Sequence, residues 1–182
     1  MQHGKIDQKQ PWAWRIASIV IVFGVVALIV WWALLKTVYA PGEKIANQGN
    51  QHIASADSPH EPYNSNPPTS GPHLGMIDRW GIHTSPIPDE LQVHNLEDGG
   101  VIVRYRPDRV SEDDISALEA IVVESKKEHV TLVPRPKMDS AIALTAWTRL
   151  MTLERIDRTQ MLKFIRAYEG IDHHVRGVGS PG

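Results

Sequence analysis

Apolar and polar positions divide the chain into three unlike stretches. The first, Ile16 to Leu35, reads IASIVIVFGVVALIVWWALL, with no charge and Ser18 as its polar residue. At about 1.5 Å per residue, ~20 residues reach across a ~30 Å hydrocarbon layer. Trp12 and Trp14 precede the run, and Trp31 and Trp32 close it. Indole rings favour the two membrane interfaces, so the pattern predicts a transmembrane helix over 16–36. A cleaved signal peptide is the rival reading, with Val38-Tyr39-Ala40 as a tolerable cleavage sequence, but the apolar run exceeds the usual ~7–15 residues of such a leader. Lys5, Lys9 and Arg15 lie before the run, and Lys36 and Lys44 follow it. That slight bias puts the N-terminus inside. The expected layout is a cytoplasmic tail over 1–15, a polar tether over 37–51 and an extracytoplasmic domain over 52–182, anchored by a single pass in a bacterial cytoplasmic membrane and facing the periplasm.

The second stretch has little hydrophobic periodicity. Between Pro59 and Pro88 lie seven prolines and three glycines. Proline fixes φ and removes a donor, which excludes a helix or a central strand. Loops longer than about 12–15 residues inside a domain are functional or disordered. Tyr63, Leu74, Met76, Ile77, Trp80, Ile82 and Ile87 are apolar anchors that favour an ordered loop.

The third stretch has regular periods. Leu91 to Leu96 reads as a short strand, Asp98-Gly99-Gly100 as a hairpin turn, and Val101 to Tyr105 as a strand. Ser111 caps a helix, with Asp114 completing a capping box. Ile115, Leu118, Ile121 and Val122 form its apolar stripe. Val130 to Val133 is a strand. Ala141 to Leu150 alternates as one further strand. Asp157 opens a last helix, which ends at Gly170. The predicted fold class is α+β: a transmembrane helix, a long Pro-rich loop, and a small, mainly antiparallel sheet with two helices on one side.

Composition adds constraints. The net charge is −2, which gives no bulk attraction to nucleic acid. Cysteine is absent, so disulfides and thiolate metal sites are excluded. Nine histidines are present, and His52, His60, His73, His83 and His94 cluster in or beside the Pro-rich loop. Neutral imidazole is a common ligand for zinc, copper and iron. A stiff loop loses little entropy in holding such ligands. His94, before the turn, and His73, after Pro72, are the best candidates. His83 and His52 come next, and Asp98 and Glu97 can add carboxylate oxygens. Met76 and Met138 are thioethers that copper(I) accepts. His129, His173 and His174 read as solvated. Ser70 beside His73 lacks any visible base and orienter, so nucleophilic catalysis has little support.

YNSNPPTSGPH, HNLEDGGVIVRY and IALTAW, in that order, resemble the bacterial family catalogued as domain of unknown function 3105, over about Gln51 to Gly170. The resemblance implies fold and placement as single-pass membrane or secreted proteins, and little about activity. It also implies a His-Asn-Leu-Glu-His-Gly-Gly pattern where this chain has His94 to Gly100, so Asp98 stands in place of a second histidine. Compensation by His83, at a position usually aromatic in the family, and decay of a site are both compatible with that change.

Two functions of different class are therefore expected. One is a non-catalytic handler of a transition metal, copper ahead of zinc, bound through His73, His94, His83, His52 and Asp98. The other is an accessory subunit of a larger membrane or redox complex, packing on partner helices through Gly24 and Ala27. An enzyme ranks third.

Overall fold

A computed structural model describes residues 12–38 and 40–174. Residues 1–11, Tyr39 and 175–182 lie outside the described residues, and with them most of the expected cytoplasmic tail and the middle of Val38-Tyr39-Ala40. The chain forms two units, divided between Ala40 and Pro41.

The first unit is helix α1, Trp12–Val38. Within it Trp14–Leu34 has mean hydropathy 2.7 over 21 residues, long and apolar enough to cross a membrane or to serve as a signal sequence. The polar Ser18 within the apolar run is satisfied inside the helix, since Ser18 Oγ donates to Trp14 O at 2.8 Å.

The second unit is an α+β domain. Its strands are β1 (Glu43–Lys44), β2 (His52–Ile53), β3 (His73–Leu74), β4 (Gly81–Ile82), β5 (Val101–Tyr105), β6 (Val130–Pro134), β7 (Ile142–Ala146) and β8 (Arg149–Leu153). Its helices are α2 (Asp89–Glu97), α3 (Glu112–Ser125) and α4 (Arg158–Tyr168). Six strands form one sheet in the order β1-β8-β7-β5-β6-β4, and β2 pairs with β3 apart from it. The sheet is mixed: β5–β6 and β4–β6 are parallel, the other pairs antiparallel.

Alternation along β5 explains the layers. Val101, Val103 and Tyr105 face a core shared with Leu118, Ile121 and Val122 of α3 and Met161, Phe164 and Ile165 of α4. Ile102 faces the other way, into a smaller core with Val93 and Leu96 of α2, Val133 and Trp147. Each such buried side chain contributes roughly 1.5–3 kcal/mol relative to exposure. Ser111 and Asp114 form the expected capping box at α3, and Asp157 caps α4.

Four expectations are corrected. Residues 91–96 are helical, not a strand. Pro88, with its fixed φ of −55°, is the N-cap, and Asp89 and Glu90 place negative charge at the positive end of the helix dipole. Asp98-Gly99-Gly100 is therefore the exit from α2 rather than a hairpin. Residues 141–150 are not one strand: Trp147 and Thr148 turn the chain between β7 and β8, with Thr148 at φ 57°. Helices cover both faces of the sheet, because α2 lies opposite α3 and α4.

Part of the expected tether also belongs to the domain. β1 pairs with β8, Ile45 N donates to Thr148 O at 3.0 Å, and Gln48 N donates to Ser70 Oγ at 3.0 Å.

Candidate metal centre

The Pro-rich loop is ordered by hydrogen bonds to itself and to its neighbours, and residues 67–73 are buried. Tyr63 Oη donates to Pro72 O at 2.6 Å. Gly71 N donates to Gly49 O and His73 N to Gln51 O, both at 2.9 Å, while Thr148 N donates to Thr69 O at 3.0 Å. Ser70 Oγ is engaged by Gln48 N, and His73 Nδ1 by a backbone carbonyl, so the two form no nucleophile and base pair.

These bonds set β3 parallel to β2 with His52 opposite His73. In-register neighbours of a parallel pair project to the same side, so the two imidazoles meet, with ring centroids 5.1 Å apart. Helix α2 supplies the other half. His94 and Glu97 are three residues apart and so share one helix face. His94 lies 5.0 Å from His73 and 5.3 Å from His52, centroid to centroid. One donor atom from each of His52, His73, His94 and Glu97 lies within 4.8 Å of every other.

The polarity of this group is unusual. His73 Nδ1 is 2.8 Å from Gly71 O. A carbonyl only accepts, so Nδ1 carries a proton, and in the neutral ring Nε2 presents a lone pair. That Nε2 faces Glu97 Oε2 at 3.1 Å, both side chains being fully buried. Neither atom has a hydrogen-bond partner among the described residues, and neither does His94 Nδ1. Two electron-rich atoms at this distance, out of water, require a positive charge between them, either a proton or a metal cation. Burial, opposed by the Asp98 carboxylate, holds the His94 imidazole below its ordinary value, which favours the neutral, ligating form.

Outer contacts orient these donors. Asn50 Nδ2 donates to Glu97 Oε1 at 2.6 Å, leaving Oε2 for the cluster. Trp147 packs edge-on against His73, centroids 6.3 Å apart, and stacks with His173. A Cβ at Gly75 would lie 3.3 Å from His52 Nδ1, so the small residue lets that ring sit close. Asp89 pairs with Arg135 at 2.7 Å and ties the start of α2 to the end of β6. At the other end, a Cβ on Gly100 would meet Asn95 O and the Trp80 ring at 2.5 Å, and one on Gly99 would meet the Ile171 backbone at 2.8 Å. That close approach lets Gly170 N donate to Gly99 O and His173 N to Glu97 O.

Of the residues singled out in the sequence, His52, His73 and His94 come together. His83 stands apart: its Nε2 is 2.9 Å from Arg79 O and 3.7 Å from Asp78 Oδ2. Asp98 is not in the inner group but forms a second one with His94 and His174. His174 Nδ1 lies 3.4 Å from Asp98 Oδ1 and 2.8 Å from Asp172 Oδ1, while its Nε2 lies 3.7 Å from Glu97 Oε2. His174 is exposed, as read from the sequence, but belongs to this outer group, whereas His173 is half-buried, which corrects its reading as solvated. Glu97, seen in the sequence only as a possible oxygen donor, is central. Treating residues 91–96 as a strand put His94 and Glu97 on opposite faces, whereas helical spacing would have paired them.

Neither a curated protein nor a solved structure matches the chain. The three segments that carry the family resemblance supply most of this cluster: His73 comes from the first, and His94 and Glu97 from the second. Residues 52–177 match the family described as "Protein of unknown function (DUF3105)", and the chain belongs to that family.

Proposed function

We propose that the domain holds one divalent transition-metal ion between His52, His73, His94 and Glu97, and that the protein handles this ion rather than catalysing a reaction with it. The observation that carries the reading is the buried approach of His73 Nε2 and Glu97 Oε2 to 3.1 Å with neither atom hydrogen-bonded among the described residues. A cation there relieves their repulsion and gives both atoms a partner. Ligands about 2.0–2.1 Å from a tetrahedral ion lie about 3.4 Å from each other, so the cluster needs only modest contraction. Three nitrogens and a carboxylate complete four positions, which suits holding an ion, since a catalytic site keeps one position open.

The donor set selects the oxidation state. Met76 is 63% exposed, and imidazole with carboxylate favours copper(II) over copper(I). Copper(II) heads the affinity order for such ligands, and zinc is the competitor. The apolar helix α1 would anchor the domain to the bacterial membrane with its metal centre on the outer side, as the Lys5, Lys9 and Arg15 bias suggests. Because the chain has no cysteine, a single Ala54→Cys label would report that orientation, and protection from an impermeant reagent outside intact cells would reverse it.

Loss of a ligand at Asp98 would favour the accessory-subunit reading. Asp98 belongs to the outer group, so its identity removes no donor from the inner one.

The test is metal analysis of the full chain in detergent, stripped and then reloaded with copper(II) or zinc. One ion per chain is expected, and its loss in a His73→Ala, His94→Ala double variant. Sub-stoichiometric metal after reloading, or full loading of the double variant, overturns the reading.

A further inference from the structure

We propose that His94, Asp98 and His174 form a second, outer cation site that receives a divalent metal ion from solvent and passes it to the buried centre; this rests on the metal centre proposed above. The three residues offer donor atoms within 4.8 Å of one another. The outer group differs from the inner one in access. The His174 side chain is 43% exposed and that of Asp98 30%, whereas in the inner group His52 is exposed but His73 and Glu97 are fully buried. Asp98 and Asp172 also line a solvent-open cavity of about 360 Å³ with Ile77, Trp80, His129 and Gly170. A hydrated cation therefore reaches Asp98 without any movement of the fold, whereas the Glu97 side chain is fully buried.

The two groups share parts. His94 belongs to both. Glu97 Oε2 lies 3.1 Å from His73 Nε2 on the inner side and 3.7 Å from His174 Nε2 on the outer side. A cation held outside is already within reach of two inner donors. It moves inward by exchanging one ligand at a time, so it is never stripped of all its partners at once, and full desolvation of a divalent ion is avoided. Because the shared groups cannot serve both positions independently, the outer site is a way station and not a store. His174 is oriented for this role by Asp172 Oδ1 on Nδ1, which leaves Nε2 directed at Glu97. The C-terminal segment is itself pinned at His173 N to Glu97 O, 2.9 Å.

Cobalt(II) is a suitable probe, because its visible absorption reports the ligand set and its uptake can be followed after rapid mixing. The full metal-free chain in detergent would be compared with His174→Ala and with Asp98→Asn, His174→Ala. His174 is exposed, so its single variant keeps the fold. The expected result is the same final stoichiometry and the same spectrum, reached severalfold more slowly, with release to an excess of chelator slowed in step. Uptake and release at wild-type rates would overturn the outer site while leaving the centre intact. A changed spectrum or lost stoichiometry would overturn it too, by making His174 or Asp98 a ligand of the centre itself. A wild-type chain that takes up no cobalt, copper or zinc would instead reject the centre, and the outer site with it.

Discussion

Glu97→Gln separates a metal centre from a structural ion pair, because the two accounts predict opposite signs. Glu97 is fully buried, with Oε1 held by Asn50 and Oε2 facing His73 Nε2. If the pair exists to hold a metal, the metal-free protein carries an uncompensated acceptor there. Such a group costs about 1–3 kcal/mol, more when charged. The glutamine amide can donate to the Nε2 lone pair, so the metal-free variant should be at least as stable as wild type. Metal binding should suffer instead. Removing the one anionic ligand should exceed the 10–100-fold typical of outer-layer partners, so about 100-fold is a lower estimate. At a free metal concentration about 100 times the wild-type Kd, binding stabilises wild type by about 2.7 kcal/mol, and the same metal would stabilise the variant by only about 0.4 kcal/mol. Thermal unfolding of both proteins, with chelator and with metal, reads all four states. A protonated His73 bound to Glu97 as a purely structural pair would give the reverse. Glutamine would remove the anion that keeps the buried imidazolium charged, so metal-free stability would fall as the ion pair is lost, with metal adding nothing to either protein. That outcome would refute the reasoning.

Thr148 occupies φ 57° while its N–H binds Thr69 O and its carbonyl accepts from Ile45 N. A β-branched residue there costs about 1–2 kcal/mol, which asparagine largely avoids. Thr148→Asn should raise stability by about 1 kcal/mol in denaturant unfolding, and a loss would mean the threonine side chain makes a compensating contact. At the start of α3, hydrogen bonds from the Ser111 backbone N–H and then its hydroxyl hold the Asp114 carboxyl below the usual carboxylate range. A depressed folded value means stabilisation above the unfolded value, lost as pH falls through the folded one. The Tm advantage of wild type over Asp114→Asn should therefore be present at neutral pH and vanish in acid; an advantage that persists in acid would show that charge is not its source.

Where local physics is decisive, the sequence was a reliable guide. Ser111 with Asp114, and Asp157 with Gln160, marked the helix starts because a cap is made by residues three apart. Val101 to Tyr105 was legible because β-branched residues dominate it. Residues 91–96 were misread because their periodicity is weak: α2 is buried on nearly all sides, from Gln92 to Glu97, so no polar face betrays its period. Pro88 followed by Asp89 and Glu90 was the signal that favoured a helix. The turn at Trp147-Thr148 was hidden because it contains neither glycine nor asparagine, the residues that ordinarily mark positive φ.

Taken alone, the chain determined that an apolar helix precedes an α+β domain, and that a long, histidine-bearing loop is functional or disordered, with apolar anchors favouring order. Those conclusions rest on composition and short-range spacing, which need no knowledge of what lies across the fold. Tertiary structure decided which histidines meet. His52 and His73 are joined by strand pairing, and both meet His94 because α2 packs on the second face of the sheet. His83, equally plausible in sequence, is turned toward Asp78 and Arg79. A metal centre is a condition on distances between residues far apart in the chain, and such distances are set by packing, which no local pattern encodes.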